Sequence, residues 1–297
     1  MGLPQRAASA EHAGAVDMVM LTRRVGGDRP LIGPVGAPYL HVMSYNVRRI
    51  ITMSRHGSPD FWPVRRDLVE RMLHAERPTI LGTQEAMASQ ARAIAGMMGP
   101  DFRIVGHGRA ADGKGEGCPI YFDATRLTLI DWSQRTLSPT PHAAGSRGWG
   151  NLVPRVVVTA EFDDMMTGKR FVVFNTHFDH TSKRSRVASA EYVASLVSEC
   201  KHPVILMGDF NTVPGKPPYR ILVNAGLRDS LLVADKRLGG AGPTFSDYKL
   251  PSPRGRRIDW LMVSDRIDVK VGAINTARFE GRAASDHEPV QAVIDVL

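Results

Sequence analysis

From residue 39 onward, hydrophobic and polar positions alternate between two rhythms. Short apolar runs read as buried strands: Leu40 to Val47, Thr79-Ile80-Leu81-Gly82, and Pro203-Val204-Ile205-Leu206-Met207. A β-rich middle covers 102–107, 118–123, 126–133, 154–162 and 170–176, and three more strands at 257–263, 268–275 and 289–296 finish the chain. Between them lie helical spacings. Val64, Leu68, Val69, Met72 and Leu73 share one face of a helix over 61–74 that stops before Pro78. A second helix follows Glu85 to Met98, a third runs over 186–200 with Val187, Ala190, Ala194 and Val197 on one face, and a short one lies near 218–225. Helices inserted singly between groups of strands predict an α/β fold of two packed sheets flanked by helices. No internal repeat or linker interrupts 39–297, which reads as one domain. Residues 1–38, rich in Ala, Gly and Pro, read as a flexible leader with a short edge strand near 17–22.

Composition narrows the class. Of 297 residues, 43% are hydrophobic and 23% charged, which excludes collagen-like, coiled-coil and largely disordered chains. No apolar run reaches the roughly 18 residues needed to cross a bilayer. Lys and Arg number 38 against 30 Asp and Glu, a formal charge of +8 carried almost wholly beyond residue 40, and a basic body favours anionic partners. Cys118 and Cys200 alone make no disulfide framework and match no zinc spacing. Arg23-Arg24 is followed by Val25-Gly26-Gly27-Asp28 rather than an apolar stretch. A reducing, cytoplasmic setting is therefore expected.

The chemistry-bearing residues stand at strand ends. Asn46 ends the first strand, Glu85 follows the second, His177 follows Asn175-Thr176, and Asp209 and Asn211 follow Met207 in Gly208-Asp209-Phe210-Asn211. Asp259 lies within Arg257-Ile258-Asp259-Trp260, and Ser285-Asp286-His287 precedes the last strand. Any one of these, alone, is most simply a turn cap or a satisfied structural histidine. Six such placements at the same end of successive strands point instead to one cleft.

These segments carry a resemblance. Ser44-Tyr45-Asn46-Val47, Gln84-Glu85, Asn175-Thr176-His177, Gly208-Asp209-Phe210-Asn211, Arg257-Ile258-Asp259 and Ser285-Asp286-His287-Glu288-Pro289 resemble, in order and over residues 44–289, the endonuclease/exonuclease/phosphatase superfamily of metal-dependent phosphoesterases. The resemblance implies a four-layer α-β-β-α sandwich of two packed mixed sheets. It further implies Mg²⁺ or Mn²⁺ bound by Glu85 with Asn46 and Asp286, and catalysis by His177, Asp209, Asn211, Asp259 and His287. In that scheme Asp209 orients or deprotonates the attacking water and Asn211 holds a phosphoryl oxygen. The two imidazoles contact the phosphate, and Asp259 orients one of them. No serine or cysteine in these segments has a neighbouring base, so water attacks directly.

Departures refine the expectation. His177 replaces the Asn of the abasic-site branch, and Arg48 stands where that branch has a second acidic ligand. Gly115-Glu116-Gly117-Cys118-Pro119-Ile120 and Asn175–His180 are similar to a bacterial branch near the deadenylase-like group. Arg155, Arg257, Asp179 and His180 are the candidate substrate-binding residues, and Cys118 reads as structural. The expected activity is hydrolysis of a phosphodiester, nucleic acid being the leading substrate and a nucleotide or lipid headgroup the alternative. A phosphatase of small metabolites and a catalytically silent binding module are the competing readings. No obligate protein partner is evident.

Overall fold

The computed structural model describes residues 29–239 and 242–297, so the edge strand expected near 17–22 lies outside the described residues. In chain order the elements are β1 (Leu40–Asn46), α1 (Trp62–Glu76), β2 (Ile80–Gln84), α2 (Ala88–Met98), β3 (Phe102–Val105), β4 (Ile120–Asp123), β5 (Leu127–Thr136) and β6 (Val156–Asp164). Then come β7 (Arg170–His177), α3 (Lys183–Glu199), β8 (Val204–Asp209), α4 (Pro217–Asn224), β9 (Arg228–Asp229), α5 (Ser230–Val233), β10 (Lys236–Gly239), β11 (Asp259–Val263), β12 (Ile267–Ile274) and β13 (Val290–Val296).

Two mixed sheets result, ordered β10-β12-β13-β1-β2-β4-β3 and β5-β6-β7-β8-β11-β9. Val42, Ile80, Ile120, Phe162, Val173, Met207 and Leu261 fill the space between them. The outer face of the first sheet is covered by α1 and α2 through Met43, Leu68, Val69, Met72 and Ile94. The outer face of the second is covered by α3 and α4 through Phe174, Val193, Leu206, Leu222 and Trp260. These are the four layers implied by the resemblance.

Local chemistry sets the boundaries. Helix α1 carries a proline in its first turn and ends where Arg77 adopts φ 39°, just before Pro78 forbids another turn. Helix α3 begins three residues earlier than the apolar spacing predicts, because the Ser182 hydroxyl accepts the Ser185 N–H at 3.0 Å and caps it there. Part of the expected leader is anchored: buried Glu76 accepts the N–H groups of Leu31 (2.7 Å), Ile32 (3.1 Å) and Gly33 (3.1 Å), and the Asn275 amide (2.8 Å). No helix among the described residues is long and apolar enough to cross a membrane.

Beneath that anchor, His41 is fully buried; its Nδ1 donates to Gly33 O at 2.9 Å while Nε2 has no partner among the described residues. Burial outweighs the nearby Glu76 charge and pulls this imidazole down to about 4. The unfolded chain therefore binds a proton here that the folded chain refuses, and stability is complete above about pH 6.5 and declines toward pH 4. We expect this site alone to remove on the order of 2–3 kcal/mol over that window. Denaturant unfolding at pH 7 and pH 4.5 checks it: His41→Asn, which keeps a donor toward Gly33, should show the smaller loss of stability on acidification.

Candidate active site

Strand polarity assembles the site. β1 pairs with β2 in parallel, and so does β7 with β8, each pair joined by a crossover helix. Within each sheet the two carboxyl ends therefore lie side by side, and a 3.0 Å bond from the Asn46 amide to Asp209 joins the two pairs at one edge of the sandwich. Asn46 stands beside Gln84, His177 beside Asp209, and Asp259 opposite Asp209 across the antiparallel β8–β11 pair. The turns leaving these strands are tight: Arg48 (φ 52°), Glu85 (φ 63°) and Asn211 (φ 51°) are all left-handed. For Arg and Glu this conformation costs on the order of 1 kcal/mol or more each, which the surrounding bonds must hold in place. Gly208 has no alternative residue, since a Cβ there would lie 2.2 Å from Thr176 O.

A buried hydrogen-bonded cluster joins residues up to 241 positions apart. The Asn46 amide nitrogen donates to Glu85 Oε1 (3.2 Å) and Asp209 Oδ2 (3.0 Å) and lies 3.5 Å from His287 Nε2. His287 Nδ1 meets Asp259 Oδ2 at 2.9 Å, which settles which histidine Asp259 orients. His177 Nε2 lies 3.5 Å from Asp209 Oδ2 and 3.0 Å from the Asn211 amide, whose nitrogen also donates to Phe178 O. Ser285 Oγ donates to Asn46 O at 2.7 Å, tying the last loop to the end of β1. The Phe245 and His287 rings pack in a T-shaped arrangement with centroids 5.1 Å apart.

Charge divides the two histidines. Burial disfavours a charged His287, but Asp259 and Asp209 outweigh it and push the imidazole up to about 10. Burial, with Arg155 and Arg109 nearby, holds His177 well below its ordinary value, so it is neutral. Burial and Asp259 push the Asp209 carboxyl up to about 7. Glu85 is held low despite its burial, by the Arg49 N–H on Oε2 (3.1 Å), the His287 charge and the Asn46 amide. The site thus sets one cationic and one neutral imidazole beside a carboxyl poised near neutrality.

Two residues of the resembling segments turn out to be staples between the sheets. Gln84 Nε2 donates to Asn175 Oδ1 at 2.7 Å, and the Asn175 amide nitrogen donates to Thr83 O (2.9 Å), Cys118 O (3.0 Å) and Pro119 O (2.9 Å). Cys118 is buried with its thiol pushed up to about 12, consistent with a packing role.

The expected substrate-binding residues separate. Arg155, 3% exposed, donates to Asp179 Oδ2 (3.3 Å) and His180 Nδ1 (2.8 Å), and its Nη1 is buried without a partner among the described residues. His180 is exposed beside it. Asp179 departs from expectation. It is 1% exposed, and its Oδ1 accepts the Thr181 N–H and hydroxyl and the Ser182 N–H, so it builds the turn into α3 instead of facing the cleft. Arg257 departs as well: it is drawn to the buried Asp229 carboxylate of β9 at 2.6 Å and takes no part in the cluster. Sequence reasoning missed Arg109, whose Nη2 pairs with Glu116 Oε1 at 2.9 Å and whose charge reaches His177. It sits in a glycine-rich loop, a context that signals only a solvated turn.

The donor chemistry fits a hard divalent cation. Glu85 and Asp286 offer carboxylate oxygens, and Asn46 Oδ1, which accepts the Arg48 N–H at 3.0 Å, keeps a second lone pair. Burial raises the Asp286 carboxyl and outweighs the opposing His287 and Arg48 charges, with Glu85 adding a smaller push in the same direction. One ligand atom each from Asp209, Asp259 and His287 also fall within 4.8 Å of one another, a second group of side chains able to hold a cation.

Known proteins share this architecture. A structure of an endonuclease/exonuclease/phosphatase family protein from Bacteroides thetaiotaomicron is 30% identical, covering 87% of this chain and 98% of its own, with a TM-score of 0.81. The mannosyl-6-phosphatase Bt3783 of Bacteroides thetaiotaomicron VPI-5482 is also 30% identical, covering 86% and 99%, with a TM-score of 0.78. The CCR4-Not complex 3'-5'-exoribonuclease subunit Ccr4 of Emericella nidulans is 24% identical over 267 residues, 67% of this chain, and the match spans only 39% of that relative's length. Residues 43–287 match the profile of the Endonuclease/Exonuclease/phosphatase family. The chain belongs to that family of phosphoesterases.

Proposed function

We propose that the protein is a divalent-metal-dependent hydrolase that cleaves phosphate esters by direct attack of water. The observation that carries this reading is the Asn46 amide, which holds Glu85 and Asp209 within one hydrogen-bond span beside a protonated His287. Glu85, with Asp286 and Asn46, would hold Mg²⁺ or Mn²⁺, which supplies neutralisation of phosphoryl charge when bound. Asp209, raised toward neutrality, orients the water and takes its proton. His287 donates from Nε2 to the phosphoryl group and gives that proton to the leaving oxygen as the ester P–O bond breaks, while Asp259 fixes its ring and its charge. Asn211 and neutral His177 line the opposite side of the phosphoryl position.

Two ester classes are supported by different observations. A phosphodiester such as nucleic acid suits the +8 net charge of the chain. A small phosphomonoester is favoured by the likeness to a mannosyl-6-phosphatase along nearly the whole of both chains. A cytoplasmic location remains part of the proposal.

Turnover of bis(p-nitrophenyl) phosphate or p-nitrophenyl phosphate is expected with Mg²⁺ or Mn²⁺, to vanish with a chelator and to return on adding the metal. A panel of DNA, RNA, nucleotides, sugar phosphates and phospholipids then ranks the classes. Steep loss of affinity with salt marks a nucleic-acid substrate, and near-constancy marks a small one. Absence of metal-stimulated hydrolysis across the whole panel would leave the binding-module reading standing instead.

A further inference from the structure

Arg48 is the residue whose placement the reaction scheme above leaves unused. Its backbone is left-handed at φ 52°, a conformation an arginine adopts only when something holds it. Three bonds hold it. Its N–H donates to Asn46 Oδ1 at 3.0 Å, and its carbonyl accepts from Arg65 Nη2 at 3.0 Å and Gln90 Nε2 at 2.9 Å. Arg65 is 1% exposed and Gln90 fully buried, so the anchoring groups are themselves rigid. Arg65 also bonds the carbonyls of Val47 (2.7 Å) and Arg49 (3.2 Å), and Gln90 Oε1 accepts the Ile50 N–H at 3.0 Å. The whole loop is clamped around this one residue.

The side chain is clamped as firmly. Its Nε donates to Asp60 Oδ1 at 3.0 Å, and the same oxygen accepts the Tyr248 hydroxyl at 2.8 Å. On its other side Nε lies 3.6 Å from Asp286 Oδ2, and the guanidinium interacts electrostatically with Glu85. The two terminal nitrogens, Nη1 and Nη2, make no bond to protein among the described residues. A guanidinium fixed by Nε alone, with its planar fork left free beside two metal-binding carboxylates, has the geometry that takes two oxygens of one phosphate.

We propose that Arg48 is the fixed second cation of the phosphoryl site. It offers Nη1 and Nη2 to the non-bridging oxygens of the ester, and its positive charge beside Asp286 keeps a second divalent ion out, so that the centre works with one metal and one arginine. Asp60 and Tyr248 are positioning residues that hold Nε. The proposal rests on the phosphoesterase reading and adds to it a metal count and a phosphate ligand.

Two measurements on the full chain test it, with inorganic phosphate as the ligand. Bound Mn²⁺ is counted by calorimetric titration and by electron paramagnetic resonance, and phosphate affinity is measured by calorimetry at saturating Mn²⁺. The wild-type chain should bind one Mn²⁺ at the centre. Arg48→Ala should weaken phosphate on the order of tenfold to a hundredfold, as expected for a lost charged hydrogen-bond donor. Arg48→Lys should recover part of that loss, and Tyr248→Phe should show a smaller one with the Mn²⁺ count unchanged. Circular dichroism and thermal melting verify that each variant is folded; should Arg48→Ala not fold, Arg48→Lys and Tyr248→Phe carry the test. Two strongly bound Mn²⁺ ions in the wild-type centre, or unchanged phosphate affinity in the folded Arg48 and Tyr248 variants, would overturn the inference even if the enzyme hydrolyses its ester. A chain with neither Mn²⁺ binding nor hydrolysis would overturn the phosphoesterase reading along with it.

Discussion

Replacing His287 with glutamine lowers kcat/KM for a turned-over phosphate ester by about a thousandfold or more, the combined scale of a lost proton donor and a lost charged contact. Glutamine is the informative choice because its side-chain amide can still donate toward Asp259 while carrying no charge. Alanine would remove both, leaving the 1%-exposed Asp259 carboxylate with no partner, and stripping one member from a buried ion pair costs on the order of 3–5 kcal/mol in itself. Steady-state kinetics at saturating metal, beside a melting curve, separates the two effects. A folded His287→Gln chain retaining more than about a tenth of wild-type turnover would show that the imidazolium is not the group on the phosphate.

Glu85→Gln is expected to cost about a hundredfold in activity at fixed Mg²⁺ and to recover partly as the cation concentration rises. It halves the ligand charge but keeps an oxygen for the Arg49 N–H, which lies 3.1 Å from the native Oε2, and leaves the left-handed backbone undisturbed. A binding readout accompanies the kinetic one. A cation bound only by the folded state adds about 2.7 kcal/mol at a hundred times its Kd. The wild-type melting temperature should therefore rise with Mn²⁺, and that of Glu85→Gln should hardly move. Equal metal-induced stabilisation of both chains would place the cation elsewhere.

Much of this site was legible from the chain alone because it lies at strand ends. Buried strands announce themselves as unbroken apolar runs, and a polar residue ending such a run, as Asn46, His177 and Asp209 do, is conspicuous. The short pieces β9, α5 and β10 were not legible, since two to four residues carry no period. Nor were long-range partners. Arg257 and Asp179 look like cleft residues in sequence, yet each answers a local electrostatic demand: the buried carboxylate of Asp229 in one case, the N–H groups opening α3 in the other. Arg48 was visible as a departure from a family pattern, but its clamp of Arg65, Gln90, Asp60 and Tyr248 comes from positions 12 to 200 residues away, which no local pattern connects. Gln84 and Asn175 sit in the most chemically suggestive segments, and structure alone reveals that they fasten one sheet to the other.

That fastening has a kinetic meaning. Half of the reacting groups ride on each sheet, and the amide bridge between Gln84 and Asn175 forms only when the two faces have met in register. A refolding chain with both sheets formed but undocked would have every needed side chain and no working centre. Recovery of hydrolysis during refolding should thus trail recovery of β-structure and coincide with the closing of the interior, making turnover a clock for the last step of assembly.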